Sequence, residues 1–197
     1  MSKIIGSISI FTNKDKNERV IGMEEPYLYE GYLYNIYDSS CVVRVKDPVD
    51  HSYISDDKNI ERKKVVAGYY SRKENIFMPI PVSALNLVLE KVGPDVSTSC
   101  DTCDGEGEHD CPHCGQTMKC DDCDGDCVKT VVKRVKIGDK LFKAEYLRLI
   151  TSVCDLNNID TVSMIINLDY SSAFKAGEFE FLVCKSNSNM SYDGEIK

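Results

Sequence analysis

Apolar and polar residues alternate with a period of two over residues 3–11, 27–37 and 41–45, which predicts three strands rich in tyrosine and β-branched side chains. Asp38-Ser39-Ser40 between the last two predicts a hairpin turn. Residues 47–64, with Pro48, Asp50, His51, Asp56 and Asp57, carry no period and read as a surface loop, followed by short strands at 65–70 and 75–78. After Ile80-Pro81 the period lengthens: Leu85, Val88, Leu89 and Val92 share one helical face, and Gly93-Pro94 ends the helix. Beyond a stretch without apolar period, 130–137 alternates as a strand turned by Gly138-Asp139. A second helix over 141–154 buries Phe142, Tyr146, Leu149, Ile150 and Val153 and shows Lys143, Glu145, Arg148 and Asp155 to solvent. Strands follow at 162–168 and 178–184, separated by a turn around 171–177, and 186–197 is polar enough to read as a loose tail. The fold class is α+β, and 197 residues with 42% hydrophobic content suffice for one substantial core and a small appendage.

The stretch without period is 100–127. Apart from its cysteines and Pro112, its only apolar side chain is Met118, so it cannot offset its own ordering entropy by burial and is either disordered or held by something else. It contains seven of the ten cysteines, as the pairs Cys100/Cys103, Cys111/Cys114 and Cys120/Cys123 plus Cys127. A C-x-x-C turn presents two thiolates as two corners of a tetrahedron, so two turns complete a Zn²⁺ site. Structural zinc contributes roughly 10–16 kcal/mol to small Cys-rich peptides, enough to fold such a segment. The alternatives are a disulfide framework, which needs an oxidising compartment, and a redox dithiol, which wants a C-x-x-C opening a helix after a strand. Residues 1–11 carry one lysine and a broken apolar run rather than a signal-peptide pattern, so a cytoplasmic, reduced setting is expected. No apolar run approaches the length that crosses a bilayer, and no membrane association is expected.

Cys100-Asp-Thr-Cys103-Asp-Gly105-Glu-Gly107 resembles the C-x-x-C-x-G-x-G repeat of the cysteine-rich domain of DnaJ-type chaperones. Cys111-Pro-His-Cys114-Gly115 lacks the spaced glycines, and Cys120-Asp-Asp-Cys123-Asp-Gly125-Asp-Cys127 has a cysteine in place of the second one. That family uses four repeats and two zinc ions, outer repeats paired and inner repeats paired, whereas this chain has three. The resemblance implies that Cys100, Cys103, Cys120 and Cys123 share one ion. Cys111, Cys114 and Cys127 would then need a fourth ligand, His109 or His113, to hold a second; either histidine could equally be a solvated loop residue. The resemblance covers only this module, since the His-Pro-Asp tripeptide of complete co-chaperones is absent.

Charge separates the module from the rest. The whole formal charge of −8 resides in 100–127, which has nine acids against Lys119 alone, while acids and bases balance elsewhere. Zinc tetrathiolate adds further negative charge. Such a knob repels phosphate backbones, which favours a protein partner over nucleic acid; the alternative is that the acids only keep a coreless insert soluble. The best basic feature adjoins it: Lys129, Lys133, Arg134, Lys136 and Lys140, readable as a nucleic-acid contact or as an ordinary solvent face of a sheet.

Outside the module, the order strand, turn, Phe142-Lys-Ala-Glu145-Tyr146-Leu147 helix, strand, turn, Gly177-Glu-Phe-Glu-Phe-Leu-Val183 resembles the closing half of a bacterial or phage sliding-clamp domain. Glu30-Gly31-Tyr-Leu-Tyr-Asn-Ile-Tyr-Asp38-Ser-Ser-Cys-Val-Val-Arg44 resembles a hairpin of its first half. The likeness is one of element order and loose residue type. It implies an antiparallel sheet with two helices formed from 1–98 and 128–185, interrupted by a zinc insertion at 99–127 and followed by a flexible tail at 186–197. Clamp domains end in a methionine-proline segment, where this chain has Cys184-Lys185-Ser186, so the family's partner-peptide pocket is not carried over. A clamp ring needs six domains, so one-domain chains would have to form a hexamer, and Lys143, Arg148 and Glu145 on one helix with Lys91 on the other make a weakly cationic lining.

Phosphate-cradling glycine loops, H-E-x-x-H and a nucleophilic triad are absent, and Glu108-His109 before Cys111-Pro112-His113-Cys114 reverses the zinc-deaminase order. The expectation is a non-enzymatic, zinc-binding, clamp-like accessory or adaptor protein in DNA replication or transcription, binding one or two Zn²⁺ ions. Direct nucleic-acid binding and a DnaJ-like holdase are the alternatives.

Overall fold

The hairpin expected around Asp38 organises one end of the fold. Tyr32–Asp38 (β2) and Cys41–Lys46 (β3) pair antiparallel, and the Asp38 carboxylate accepts the Ser40 amide at 2.7 Å. The computed structural model describes residues 27–38, 40–46, 77–165, 171–187 and 190–196. The expected strands at 3–11 and 65–70 and the loop 47–64 with His51 lie outside the described residues, as do parts of the strands at 75–78 and 162–168.

Tyr27–Tyr29 (β1) precedes β2, and the one strand expected over 27–37 is two, because Glu30 and Gly31 adopt φ of 50° and 76° and fold β1 back on β2. Phe77–Pro81 (β4) leads into the helix Val82–Val92 (α1). Val96–Ser99 (β5), Glu108–Asp110 (β6), Thr117–Lys119 (β7) and Val128–Val131 (β8) belong to the cysteine-rich region. Arg134–Ile137 (β9), Lys140–Lys143 (β10), the helix Ala144–Asn157 (α2), Thr161–Ile165 (β11), Ser171–Ala176 (β12), Phe179–Cys184 (β13) and Gly194–Ile196 (β14) complete the order.

Among the described residues, seven strands form one antiparallel sheet in the order β1-β2-β3-β13-β12-β11-β4. Alternation decides its two faces. Leu33, Val43, Val45, Phe181 and Val183 enter the main core with Leu85 and Leu89 of α1 and Tyr146, Leu147 and Ile150 of α2. Tyr27, Tyr34, Ile36, Val42 and Leu182 form a smaller cluster on the opposite face. There Arg44 donates to Glu180 Oε2 from Nε at 2.8 Å and from Nη2 at 2.6 Å, and lies 4.2 Å from the centroid of the Tyr32 ring.

Four sequence expectations change. The stretch 130–137 is two strands, β8 and β9, in different sheets, broken at 132–133. Residues 141–143 are strand rather than helix, since Lys140–Lys143 pairs with Arg134–Ile137, and α2 starts at Ala144. The turn expected over 171–177 shrinks to Gly177-Glu178, because Ser171 and Ser172 are buried in the sheet opposite Cys184 and Val183. The polar tail is not loose throughout: Gly194–Ile196 runs parallel to β9, where an added Cβ at Gly194 would meet Val88 Cγ1 and Val92 Cγ2 at 2.7 Å, so α1 admits only glycine there.

Arg148 also departs from its expected solvent position. Its Nη2 donates to the Leu89 carbonyl at 3.2 Å and to that of Gly93, satisfying the C-terminal carbonyls of α1 and binding the two helices together. Glu145 accepts the Tyr37 hydroxyl, and Asp38 accepts that of Tyr146 at 2.7 Å. Burial, then these carboxylates, push both tyrosines well above the usual phenol range. Among the described residues, no helix is long and apolar enough to cross a membrane.

Candidate metal centre

The cysteine-rich region leaves the body on a two-stranded stalk. β5 and β8 pair antiparallel, and every residue of both strands is exposed, so neither has a core behind it. Its base is fixed where the Asp95 carboxylate accepts the Lys133 amide at 2.7 Å. Along the ribbon, the Ser97 and Thr130 hydroxyls pair at 3.2 Å. A ribbon of this kind is marginal alone, so its far end needs its own clasp.

That clasp is built from the first and third cysteine repeats, folded as near-copies. In the first, Gly105 N donates to Cys100 O at 3.0 Å and Glu106 N to Cys103 O at 2.9 Å; in the third, Gly125 N donates to Cys120 O at 3.1 Å and Asp126 N to Cys123 O at 2.9 Å. The left-handed residues match as well, Asp104 and Asp124 both at φ 51° and Gly105 and Gly125 at 81° and 76°. The two knuckles lock reciprocally, with Cys100 N donating to Cys127 O at 3.1 Å and Cys120 N to Gly107 O at 2.8 Å. Thr102 and Asp122, at the same position of each repeat, hydrogen-bond across the interface at 2.5 Å.

This arrangement brings together Cys100, Cys103, Cys120 and Cys123, whose sulfurs lie within 4.8 Å of one another and are all buried. Cys100 and Cys120 Sγ are 3.8 Å apart, and Cys103 and Cys123 Sγ 3.7 Å. A tetrahedron of sulfurs at the zinc–thiolate distance of about 2.3 Å has edges of about 3.8 Å. A disulfide needs about 2.05 Å, and all four thiols are free. The four residues therefore fit a tetrahedral metal ion. Burial opposes ionisation of Cys100, but the amides of Thr102 and Cys103 and the neighbouring thiols outweigh it and bring that thiol down to about 7. Burial and the thiols of Cys103 and Cys120 push Cys123 up to about 12. Gly107 N donates to Cys103 Sγ at 3.2 Å.

The remaining expected ligands do not join this group. Cys127 takes the place in the third repeat that Gly107 takes in the first, with its sulfur 3.8 Å from Gly125 O. Cys111 and Cys114 sit on the exposed turn between β6 and β7, which Cys111 N→Gln116 O at 2.8 Å and Gly115 N→Cys111 O at 2.9 Å close. Amides of His113 and Cys114 and the Cys114 thiol lower the Cys111 thiol despite some burial. His113 is exposed on that turn, while His109, opposite Met118 in the β6–β7 pair, has a buried Nδ1 without a hydrogen-bond partner. Among the described residues, the only cluster of three or more potential metal ligands is the one at Cys100, Cys103, Cys120 and Cys123.

The basic residues of the stalk and just beyond it largely face acids. Lys129 Nζ lies 3.8 Å from Asp122, Lys133 Nζ 2.9 Å from Asp193 and Lys136 Nζ 3.2 Å from Glu195. Arg134 donates Nη1 to the Val132 carbonyl at 3.2 Å, and Lys140 is buried. Sequence reasoning saw the cations but not the acids of the tail and the third repeat that fold against them.

No known protein family and no curated protein matches the chain. Among solved structures it is similar to the DNA polymerase III beta subunit of Thermotoga maritima, with a TM-score of 0.48 at 10% identity over 96% of this chain and 63% of that one. It is also similar to the DNA polymerase III beta chain of Streptococcus pneumoniae (TM-score 0.49, 10% identity, 95% and 64%) and to the DNA polymerase sliding clamp of Bacillus subtilis (0.47, 13%, 97% and 65%). The chain spans less than two thirds of each of these chains.

Proposed function

We propose that the protein is a non-enzymatic, zinc-binding adaptor whose acidic module, held out on a stalk, contacts a protein partner in DNA replication or transcription. The observation that carries the metal part is the convergence of Cys100, Cys103, Cys120 and Cys123 with sulfur separations of 3.7 and 3.8 Å. Four buried thiolates satisfy a tetrahedral zinc completely and leave no open position for water or substrate, so the ion is structural. The protein-contact part follows from charge: the full −8 is concentrated in the module that zinc would fold. Ion pairing of Lys129, Lys133 and Lys136 with Asp122, Asp193 and Glu195 removes cations that a phosphate backbone would require and favours a protein partner over nucleic acid. The replication or transcription setting rests on the clamp-like order of elements in the sequence. Crosslinking in the cell of origin, with the intact chain and with the Cys100→Ser/Cys120→Ser variant, tests the reading. Replication or transcription proteins should be crosslinked through 100–127 in the first and lost in the second; recovery that does not depend on the module overturns it.

A further inference from the structure

The second cysteine pair stands apart from the four-cysteine cluster. Cys111 and Cys114 share a turn closed by the Gly115 N→Cys111 O bond, and Cys114 is exposed. Two thiolates supply two of the four ligands that zinc needs, and among the described residues no third ligand gathers around them. Cys127, the spare thiol, is held in the third repeat in the place equivalent to Gly107.

The turn also differs from the rest of the module in charge. Residues 111–118 contain no Asp, Glu, Lys or Arg, and their one imidazole is His113, whereas nine acids lie among the other positions of 100–127. The turn lies at the end of the β6–β7 ribbon and exposes Pro112, while Met118, one residue inside the ribbon, is 47% exposed. Acids at this tip would keep two knobs of equal charge apart. An uncharged, partly apolar tip lets two copies approach end to end while their acids stay behind the contact.

We propose that Cys111 and Cys114 of two copies of this chain together coordinate one zinc ion, joining the copies tip to tip. Each thiol gives its proton to solvent on binding, and four thiolates then surround the ion. The site is incomplete in a single chain. The proposal rests on the reading that Cys100, Cys103, Cys120 and Cys123 hold a metal, because that ion would fold the ribbon that presents the turn.

The test is zinc content and native mass of the full chain, loaded with zinc under a phosphine reductant so that disulfides cannot form. The expected result is twice the monomer mass with three zinc ions per pair of chains. A Cys111→Ser/Cys114→Ser variant should be a monomer with one zinc per chain and an unchanged amide spectrum for the body. Gln116→Glu/Thr117→Glu, which keeps both thiols, should weaken the dimer at least tenfold by placing like charges at the contact. A monomer with two zinc ions overturns the proposal by showing the pair completed within one chain, and a monomer with one zinc overturns it by leaving the pair empty. A dimer that survives loss of both thiols also overturns it. Absence of zinc from the wild-type chain sinks the reading of the first site as well, so the two failures are distinguishable.

Discussion

Cys127 occupies in the third cysteine repeat the position that Gly107 occupies in the first. Each offers its carbonyl to the opening cysteine of the other repeat, at 3.1 Å to Cys100 N and 2.8 Å to Cys120 N, and each has a left-handed backbone, φ 64° and 80°. A left-handed conformation costs an L residue about 1–2 kcal/mol, part of which glycine returns as extra entropy in the unfolded chain. Cys127→Gly should therefore leave metal content unchanged and raise module stability by about 1 kcal/mol. Metal retention in chelator competition checks this; a lost equivalent of metal would make Cys127 a ligand. Gly107→Ala should act in the opposite direction, because its Cβ would lie 2.7 Å from Gly125 O.

Removing the metal should unfold the module and spare the body. The stalk strands are exposed on every residue, and residues 100–127 have no apolar core besides the thiols, so nothing replaces a contribution of roughly 10–16 kcal/mol. The core of the body is separate in composition, built on Leu33, Val43, Leu85, Phe142, Ile150 and Phe181. Amide spectra before and after chelation should lose dispersion over about 96–131 alone. Collapse of the whole spectrum would show that the two parts fold as one.

Legibility in sequence followed locality. α1 was readable because Leu85, Val88, Leu89 and Val92 repeat with helical period and Gly93 stops them, and the β2–β3 hairpin because Asp38 bonds the Ser40 amide two residues on. The first and third repeats were readable as partners only from the resemblance. What failed depended on distant neighbours. Ser171 and Ser172 form a strand only because β13 lines one side of them, Gly194 has meaning only against Val88 and Val92, and Arg148 is a helix cap only because α1 ends beside it. The basic stretch was visible, but Asp193 and Glu195, about sixty residues later, neutralise it.

Thiol reactivity should sort the cysteines into three classes. Burial raises Cys41 well above the usual thiol range, and burial with the nearby Asp155 pushes Cys154 up to about 12. At pH 8 Cys154 then carries about a thousandfold less thiolate than a free cysteine, so it should label only on unfolding. Cys100, Cys103, Cys120 and Cys123 should become reactive on chelation, and the exposed Cys114 should be fast whenever zinc is scarce. Mass-resolved alkylation with and without chelator gives all three rates, and early labelling of Cys154 in the folded protein would contradict its burial.

The tail strand should leave α1 without unfolding the rest. Asp193 accepts the Arg134 amide at 3.0 Å and Lys133 Nζ at 2.9 Å, and these bonds, the backbone one foremost, hold its carboxyl below the usual range. A carboxyl depressed by folding contributes stability that is complete above its unfolded value of about 3.9 and disappears as pH falls through the lower folded value. Acidification through that window should therefore speed amide exchange at 194–196 before it affects β2 or β3. Asp193→Asn should reproduce the loosening at neutral pH, where a metal at the four-cysteine cluster would stay bound, and so separate this effect from any loss of metal in acid. Gly194→Ala reaches the same end through packing: its Cβ would sit 2.7 Å from two valine methyls, an overlap that typically costs about 1–3 kcal/mol. Because β14 is only three residues long and, among the described strands, pairs with β9 alone, detaching it is the easiest relief of that strain. Global melting should shift little while exchange at 194–196 rises; a large fall in melting temperature with the tail still protected would show that the strand is integral to the core.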